Sequence, residues 1–491
     1  MKAFLWDGYF YRYVGLIDKD TLVAVEVIPK DENPLVGDIY MGRIAKAIPS
    51  QEVYFVDIGE EQLAYLQGRD IAKPIGPSDA LNVGDWVLVQ VKHEAHGNKG
   101  PKVTDKLSLQ GKWTVLLTGE HKVMASQKIR DTLWRTETLK AISESSWMLN
   151  ISQTHMLRDC GEHLGLILRT EAHLVALETL YDEVSDLMEM LSQWGWQKLS
   201  HKRGLVAGRY YRPKEAWRLR LESWLQRGGV LYTNSKLEAS HYQLKGVHVV
   251  SGGQPLIDLH CTSHLDLLIK RAHQLPGGAT IVVDELEALT AIDVNSASFK
   301  NNYGNLSNTQ LAINLTVLPQ LCRLMDLRAL SGMILVDFVN MEPSEEKTLL
   351  RALQVAVKAS GLTDVEIKGF TKLGILEITR KRQGQSLLKL LGANTVIEGE
   401  RLLSGEYLWD QVLLEIDAAR YTCDAVVIHI FEGIFESFMA HRLHMRAWLQ
   451  TKGEHLPEIY IKKCGLSRQF IRLERLNTAI QPYGLEALRW I

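Results

Sequence analysis

The N-terminal part of the chain is built from short runs in which apolar and polar residues alternate. Residues 1–34 predict two or three strands, because successive side chains of a strand point to opposite faces. From Pro34 to Trp113, turn residues separate further β-like runs at Asp38–Ile44, Val53–Ile58, Gln62–Leu66 and Trp86–His93. Four or five short strands in about 80 residues are typical of a small OB-type barrel, a fold that often binds single-stranded nucleic acid.

The pattern becomes helical between Glu137 and Gln197. Apolar residues recur there at three- and four-residue spacing, which predicts one buried helix face. The residues expected in this core are Leu174, Leu177, Leu180, Val184, Leu187 and Leu191.

Strand and helix patterns alternate between Gly278 and Thr379, which predicts an α/β unit. The predicted strands are Ala279–Val283, Ala288–Val294, Met333–Phe338 and Gly374–Thr379, and the predicted helices are Leu311–Arg328 and Ser344–Ser360. Beyond Arg382, spaced glycines indicate a linker that leads to a compact α/β tail.

Composition supports an ordinary folded protein of several domains. The 491 residues are 46% hydrophobic and 23% charged, which argues against disorder. The longest apolar runs fall short of the ~18 residues that cross a bilayer, and the first residues include an acid where a signal peptide would be apolar. Five cysteines without a CxxC pair argue against a disulfide framework or a sulfur-rich zinc site. We therefore expect reduced thiols and a cytoplasmic location.

Net charge is −2, so affinity for a polyanion must come from local patches. The segment from Lys198 to Gly228 contains nine Lys or Arg residues but only two acidic residues. Aromatic residues are interleaved with them at Tyr210, Tyr211, Trp217 and Trp224. A second patch with six basic residues runs from Lys368 to Lys389. A solvated helix face and a nucleic-acid surface explain the first patch about equally well.

Two aspartates stand inside apolar strand patterns. Asp293 and Asp337 are flanked by apolar residues, which predicts that both lie in buried strands, where ionisation is costly without a compensating cation or donor. If the two strands are neighbours, the carboxylates meet at one sheet edge and bind Mg²⁺ or Mn²⁺. Asn295 points to the same side as Asp293. The competing interpretation is a buried Asp bonded to a helix N-terminus or an arginine.

The tract His260–His264 also contains metal-ligand types. Two histidines and one cysteine without further cysteines nearby are more often incidental than a metal site.

With these residues the chain resembles the ribonuclease E/G family of bacterial endoribonucleases. The matching stretches are Gly37–Ile44 with Phe55–Gly59 and Gly97–Pro101, Gly165–Thr170, Glu285–Ser296, and Val336–Phe338 with Lys372–Arg382. They follow one another in the family's order.

The resemblance implies an Mg²⁺-dependent endoribonuclease, with Mn²⁺ as an alternative ion. Asp293 and Asp337 would hold the metal as catalytic residues, and Asn295 would support Asp337 or the scissile phosphate. Single-stranded RNA would stack on Phe55 and Tyr65 near Lys99, and the products would carry 5′-phosphate and 3′-hydroxyl ends. From the residues alone, barrel core for the two aromatics and a solvated loop for the lysine are equally good interpretations.

Further RNA-binding residues are implied at Arg169 and Thr170, the sensor of a 5′-monophosphate, and in the basic tract Arg380, Lys381 and Arg382. The sensor departs from the family pattern. Met124 replaces a glycine, and Ser360–Thr363 lacks the family's arginines, so we expect weak sensing. Thr316 and Asn340 also replace acidic residues of the family.

The family's zinc-link is absent from the sequence, because Leu390–Asn394 contains no cysteine. We therefore expect no structural zinc, and any homo-oligomer would not be zinc-linked. The partner predicted is single-stranded RNA, with no membrane.

The implied architecture is a multidomain α/β protein. It comprises a ribonuclease-H-like domain (1–34 and 206–274), an S1-type OB domain (35–116), a 5′-sensor region (117–205), a DNase-I-like catalytic domain (275–392), and a linker with a small C-terminal domain (393–491). The preferred function is RNA processing or decay by cleavage. The alternatives are an RNA-binding protein that has lost turnover and a structure-specific DNA nuclease.

Overall fold

The computed structural model describes most of the chain. The described residues are 1–30, 36–71, 81–95, 99–119, 122–127, 129, 131–144, 164–194, 205–211, 216–226, 228–275, 278–296, 306–381, 384–397, 400–420, 422–453, 455–464, 472–476 and 487–490. The chain is a mixed α/β protein that divides into two compact units, one formed by Met1–Asp31 with Arg220–Ile491 and the other by Glu32–Leu219.

The strands are numbered in chain order. They are β1 (Lys2–Asp7), β2 (Tyr11–Asp18), β3 (Thr21–Pro29), β4 (Ile39–Ile48), β5 (Val53–Asp57), β6 (Ala64–Gln67), β7 (Trp86–His93), β8 (Lys102–Thr104), β9 (Ser108–Gln110), β10 (Thr114–Thr118), β11 (Val123–Ala125), β12 (Leu164–Leu168), β13 (Gly208–Tyr211), β14 (Val230–Thr233), β15 (Val249–Ser251), β16 (Ala272–Gln274), β17 (Thr280–Glu285), β18 (Leu289–Asn295), β19 (Gly332–Asp337), β20 (Val365–Phe370), β21 (Ile375–Arg380), β22 (Gly392–Ile397), β23 (Glu400–Leu403), β24 (Ala425–Phe431), β25 (Glu458–Cys464), β26 (Arg472–Leu476) and β27 (Ala487–Arg489).

The helices are numbered in the same way. They are α1 (Thr132–Glu144), α2 (Leu177–Trp194), α3 (Ala216–Leu225), α4 (Lys236–Leu244), α5 (Gly253–Asp258), α6 (Cys261–Ile269), α7 (Leu306–Leu327), α8 (Pro343–Ser360), α9 (Leu387–Leu391), α10 (Gly405–Ala419) and α11 (Glu432–Lys452). Among the described residues, no helix is long and apolar enough to cross a bilayer.

The second unit contains a closed five-stranded barrel. Its strands follow the order β4-β5-β6-β8-β7, and β7 pairs with β4 to close the circle. Val56, Leu66 and Val103 are among the residues that fill the barrel, because alternate side chains of each strand point inward. The prediction of an OB-like barrel is confirmed.

The same unit also contains the four-stranded sheet β11-β12-β10-β9 with α1 and α2. The prediction of helix throughout 137–197 was wrong, since strand β12 lies between the two helices. Four of the six leucine and valine positions are buried on α2, but Leu174 and Leu177 are exposed. Leu174 lies in a 3-10 turn before α2. It therefore does not share the buried face of the helix, although its spacing from the later residues is helical.

The first unit begins with the sheet β15-β14-β1-β2-β3. The first strand of the chain pairs in parallel with β14, about 230 residues later, with Lys2 opposite Val230. The carboxylate of Asp7, at the end of β1, forms ion pairs with Lys30 (2.6 Å), Lys452 (2.8 Å) and Arg12 (3.2 Å). These contacts join the N-terminal sheet to the end of α11.

The central sheet of this unit has the order β16-β17-β18-β19-β21-β20. Strands β18 and β19 are parallel, and their other neighbours run antiparallel. One face packs on α7 and α8, where Ile292 and Val336 meet Val317 and Leu353 in the main core. The strands and helices predicted between Gly278 and Thr379 are all present.

The C-terminal region forms a separate small core. The sheet β26-β24-β25-β27 packs with α10 and α11 around Trp409 and Phe438, whose rings stack at 5.0 Å.

Candidate active site

Asp293 and Asp337 are register partners. They face each other on the parallel strands β18 and β19. Their neighbours Ile292 and Val336 are also register partners and point into the core, so the two aspartates share the opposite face. Both aspartates are exposed, which corrects the prediction that they are buried. The apolar residues that flank each aspartate lie on the face of the sheet that the helices cover, whereas the aspartates lie on the other face.

Asn295 lies two residues beyond Asp293 on the same strand and the same face. Its Nδ2 donates a hydrogen bond to Oδ2 of Asp293 at 2.6 Å. The amide therefore holds the carboxylate of Asp293 in one orientation, whereas the sequence left open a contact with Asp337.

Neither aspartate is neutralised by an arginine within the described part of the chain. Arg271 feels the charge of Asp293, but its guanidinium binds Asp284 bidentately at 2.5 and 2.7 Å. The hydrogen bond from Arg271 lowers the pKa of Asp284. The same hydrogen bond and the charge of Asp284, with a smaller contribution from Asp293, raise the pKa of Arg271. The described residues therefore contribute no arginine or lysine ion pair to either of the two register-paired carboxylates.

Two buried contacts hold the ends of these strands. Asn314 of α7 accepts a hydrogen bond from the backbone N–H of Val339 at 3.1 Å and donates to its carbonyl at 2.8 Å. This fixes the chain two residues after Asp337. At the opposite end of the sheet, Glu285 of the neighbouring strand β17 pairs with the fully buried Arg328 at 2.7 Å and accepts a hydrogen bond from Ser386.

Phe55 and Tyr65 are register partners on β5 and β6 of the barrel. Their ring centroids lie 5.9 Å apart at a steep angle, and both side chains are half-buried. The barrel core is filled by their neighbours Val56, Ala64 and Leu66, so the two rings lie on its outer surface. This location favours a stacking surface over the barrel-core interpretation.

Lys102 lies beside this aromatic pair. Lys102 is the register partner of Tyr65 on β8, and its ammonium lies 3.3 Å from Asp70. Lys92 lies 2.6 Å from the same carboxylate, and hydrogen bonds from the two lysines outweigh burial and lower the pKa of Asp70. Lys99 is exposed.

The predicted sensor residues Arg169 and Thr170 are adjacent in the chain, and their side chains already form contacts within the protein. The Arg169 guanidinium donates to the carbonyl of Gly111 at 2.7 Å. The hydroxyls of Thr170 and Ser126 lie 3.0 Å apart. Met124 pairs in register with Ile167 on the neighbouring strand.

The basic tract after β21 has a different role from the one predicted for Arg380. Arg380 is buried, and its guanidinium donates to the carbonyls of Met325 and Leu330 and pairs with Asp326 at 3.2 Å. It stabilises the end of α7 and is not available to RNA. Lys381 is exposed, and Arg382 lies outside the described residues.

Two other sequence candidates are not supported. Trp217, in the first basic patch, is buried and cannot stack on a base. Cys261 of the His260–His264 tract is buried as well, and the described residues contain no group of three or more His, Cys, Asp or Glu side chains positioned to hold a metal.

Comparison with known proteins assigns the chain to a family. The family model described as "Ribonuclease E/G family" matches residues 108–383, more than half of the chain. The chain therefore belongs to this family and is by class an endoribonuclease.

Its relatives include ribonuclease G of Salmonella typhimurium (strain SL1344) and of Escherichia coli (strain K12). Each is 26% identical over 417 residues, covering 77% of this chain and 79% of the relative. Ribonuclease E of Escherichia coli (strain K12) is 28% identical over 407 residues, which cover 76% of this chain but 36% of that protein.

Proposed function

We propose that this protein is an Mg²⁺-dependent endoribonuclease that cleaves single-stranded RNA and leaves 5′-phosphate and 3′-hydroxyl ends. Its role would be in RNA processing or decay. The observation that carries the proposal is the in-register pairing of Asp293 with Asp337 on the exposed face of the central sheet.

The donor set fits a hard divalent cation. Asp293 and Asp337 provide oxygen ligands from neighbouring strands, and Mg²⁺ keeps several waters, so two protein carboxylates suffice. Like charges at this spacing repel each other unless a cation lies between them. When bound, the ion would polarise the phosphodiester and stabilise the charge that develops on it.

The chain's own residues would orient the reacting groups. Asn295 fixes the carboxylate of Asp293 by its 2.6 Å hydrogen bond. Asn314 fixes the strand end beyond Asp337. Such preorganisation matters because a ligand displaced by about 1 Å weakens catalysis strongly.

RNA binding is assigned to the outer barrel surface. Phe55 and Tyr65 offer half-exposed rings to bases, and Lys99 offers a cation to the backbone. Arg169 and Thr170 would contact a 5′-phosphate weakly, because the guanidinium of Arg169 is already bound to a carbonyl.

The domain layout belongs to the same proposal. We assign residues 1–34 with 206–274 to a ribonuclease-H-like domain, 35–116 to an S1-type domain and 275–392 to a DNase-I-like catalytic domain. The pairing of β1 with β14 supports the first assignment, and the closed barrel supports the second.

The test uses an unstructured, end-labelled RNA with the purified protein. We expect cleavage with Mg²⁺, none with EDTA, and 5′-phosphate and 3′-hydroxyl ends on the products. Asp293→Asn and Asp337→Asn should each abolish cleavage and leave affinity in a gel shift within a few-fold. Glu366→Gln, which removes an exposed carboxylate of the edge strand β20, is the matched control.

Wild-type-like cleavage by either aspartate variant would contradict the proposal. RNA binding without cleavage by the wild type would favour the RNA-binding alternative, and cleavage of DNA alone would favour the DNA nuclease.

A further inference from the structure

A tight hairpin lies beside the two aspartates. Strands β20 and β21 are joined by the four residues Thr371–Gly374. Ile375, the first residue of β21, is the register partner of Asp337. Neighbouring strands are about 4.8 Å apart and a residue advances about 3.3 Å, so the tip lies roughly 10 Å from the backbone of Asp337.

Hydrogen bonds hold the hairpin in one shape. The N–H of Thr371 donates to the carbonyl of Ile375 at 2.9 Å, and the N–H of Gly374 donates to the carbonyl of Thr371 at 3.0 Å. The Thr371 hydroxyl accepts from the N–H groups of Leu373 (3.2 Å) and Ile375 (3.1 Å). Gly374 adopts a φ of 81°, which only glycine reaches without strain.

This rigid turn projects an apolar side chain into solvent. Leu373 is 89% exposed, whereas Leu376 and Ile378 of the following strand are buried. Lys372 beside it is exposed and forms no ion pair within the described residues. A preformed tip with one apolar and one cationic side chain matches the two surfaces of single-stranded RNA, its bases and its phosphates.

We propose that the Thr371–Gly374 hairpin is a wedge for RNA. Leu373 would insert between the two bases that flank the scissile phosphate, and Lys372 would contact the adjacent backbone. Apolar side chains insert between base steps in complexes with duplex DNA, where they partly unstack the bases and kink the helix. The inference rests on the proposed nuclease function, because the hairpin matters through its position next to Asp337.

The test measures base unstacking without cleavage. RNA with 2-aminopurine at the scissile step is mixed with the full-length protein in EDTA, and fluorescence rises if the base is unstacked. We expect a rise with the wild type, loss of most of this rise with Leu373→Ala, and its return with Leu373→Met. Leu286→Ala is the matched control, since Leu286 is an exposed leucine in the β17–β18 turn, at the end of the strands opposite to Asp337.

A second variant tests whether the ammonium group of Lys372 contacts the RNA backbone. Lys372→Gln should weaken binding and lower the slope of log affinity against log salt by about 1, as expected for one lost phosphate contact. Lys358→Gln, on the exposed side of α8, should leave the slope unchanged.

An equal fluorescence rise in Leu373→Ala and wild type would overturn the wedge, and so would no rise in the wild type. The nuclease proposal is judged separately by cleavage in Mg²⁺. A Leu373-dependent rise in a protein that never cleaves would support the wedge and refute the nuclease.

Discussion

Asp337→Asn should remove Mg²⁺-dependent stabilisation without weakening the fold. Asp293 and Asp337 are register partners on neighbouring strands, so their charges are about 5 Å apart. In water, two like charges at that distance repel by about 0.8 kcal/mol, and this value applies because both side chains are exposed. In EDTA the free energy of unfolding should therefore be unchanged or higher by up to about 1 kcal/mol.

With magnesium present, the wild type should become the more stable of the two proteins. An ion that binds only the folded state stabilises it by about 2.7 kcal/mol at a concentration 100 times its Kd. The wild type should gain this stabilisation, and Asp337→Asn should lose nearly all of it, since one of its two carboxylate ligands is gone. The assay is urea unfolding followed in EDTA and in a magnesium series. Glu366→Gln controls for general charge effects.

Two results would refute this reasoning. If Asp337→Asn were markedly less stable than the wild type in EDTA, the carboxylate would have a structural partner. If both proteins gained equally from magnesium, the ion would bind elsewhere.

Three further predictions concern other parts of the chain. Phe55→Ala or Tyr65→Ala should each weaken single-stranded RNA binding by about 1–3 kcal/mol in a fluorescence titration, because each ring is assigned one stacked base. Arg380→Ala should lower the free energy of unfolding by about 1–3 kcal/mol in urea and leave RNA affinity unchanged, because buried carbonyls lose their donor. Burial alone would raise the pKa of Asp7, but Lys452 and Lys30 hold it well below its usual range. The stability from Asp7 is therefore present above pH about 4 and is lost as the pH falls further, so Asp7→Asn should flatten the acid limb of a stability-against-pH curve.

Each of these three predictions has an outcome that would contradict it. Unchanged RNA affinity in both aromatic variants would remove the barrel surface from the RNA path. Weaker RNA binding by a fully stable Arg380→Ala would restore the original assignment of that arginine. An acid limb as steep in Asp7→Asn as in the wild type would show that other carboxyl groups dominate acid unfolding.

Local pattern was sufficient in two regions of the chain. Four of the five barrel strands, and every strand and helix between Gly278 and Thr379 except β20, could be predicted because periodicity is a property of consecutive residues. It failed at Leu174, where helical spacing continued through residues that form a 3-10 turn and a loop. It also could not show that residues 164–168 form a strand of another sheet.

The sequence by itself determined which residues can form the site. Asp293, Asn295 and Asp337 stand out because acids and amides are rare inside strand patterns, and the family motifs fall on them. Their register and their exposed face were decided by the tertiary structure, since both depend on strand pairing across more than 40 residues and on which side α7 and α8 cover. The same long-range packing buries Arg380 against the end of α7 and brings the exposed Leu373 to the end of the strands where Asp337 lies.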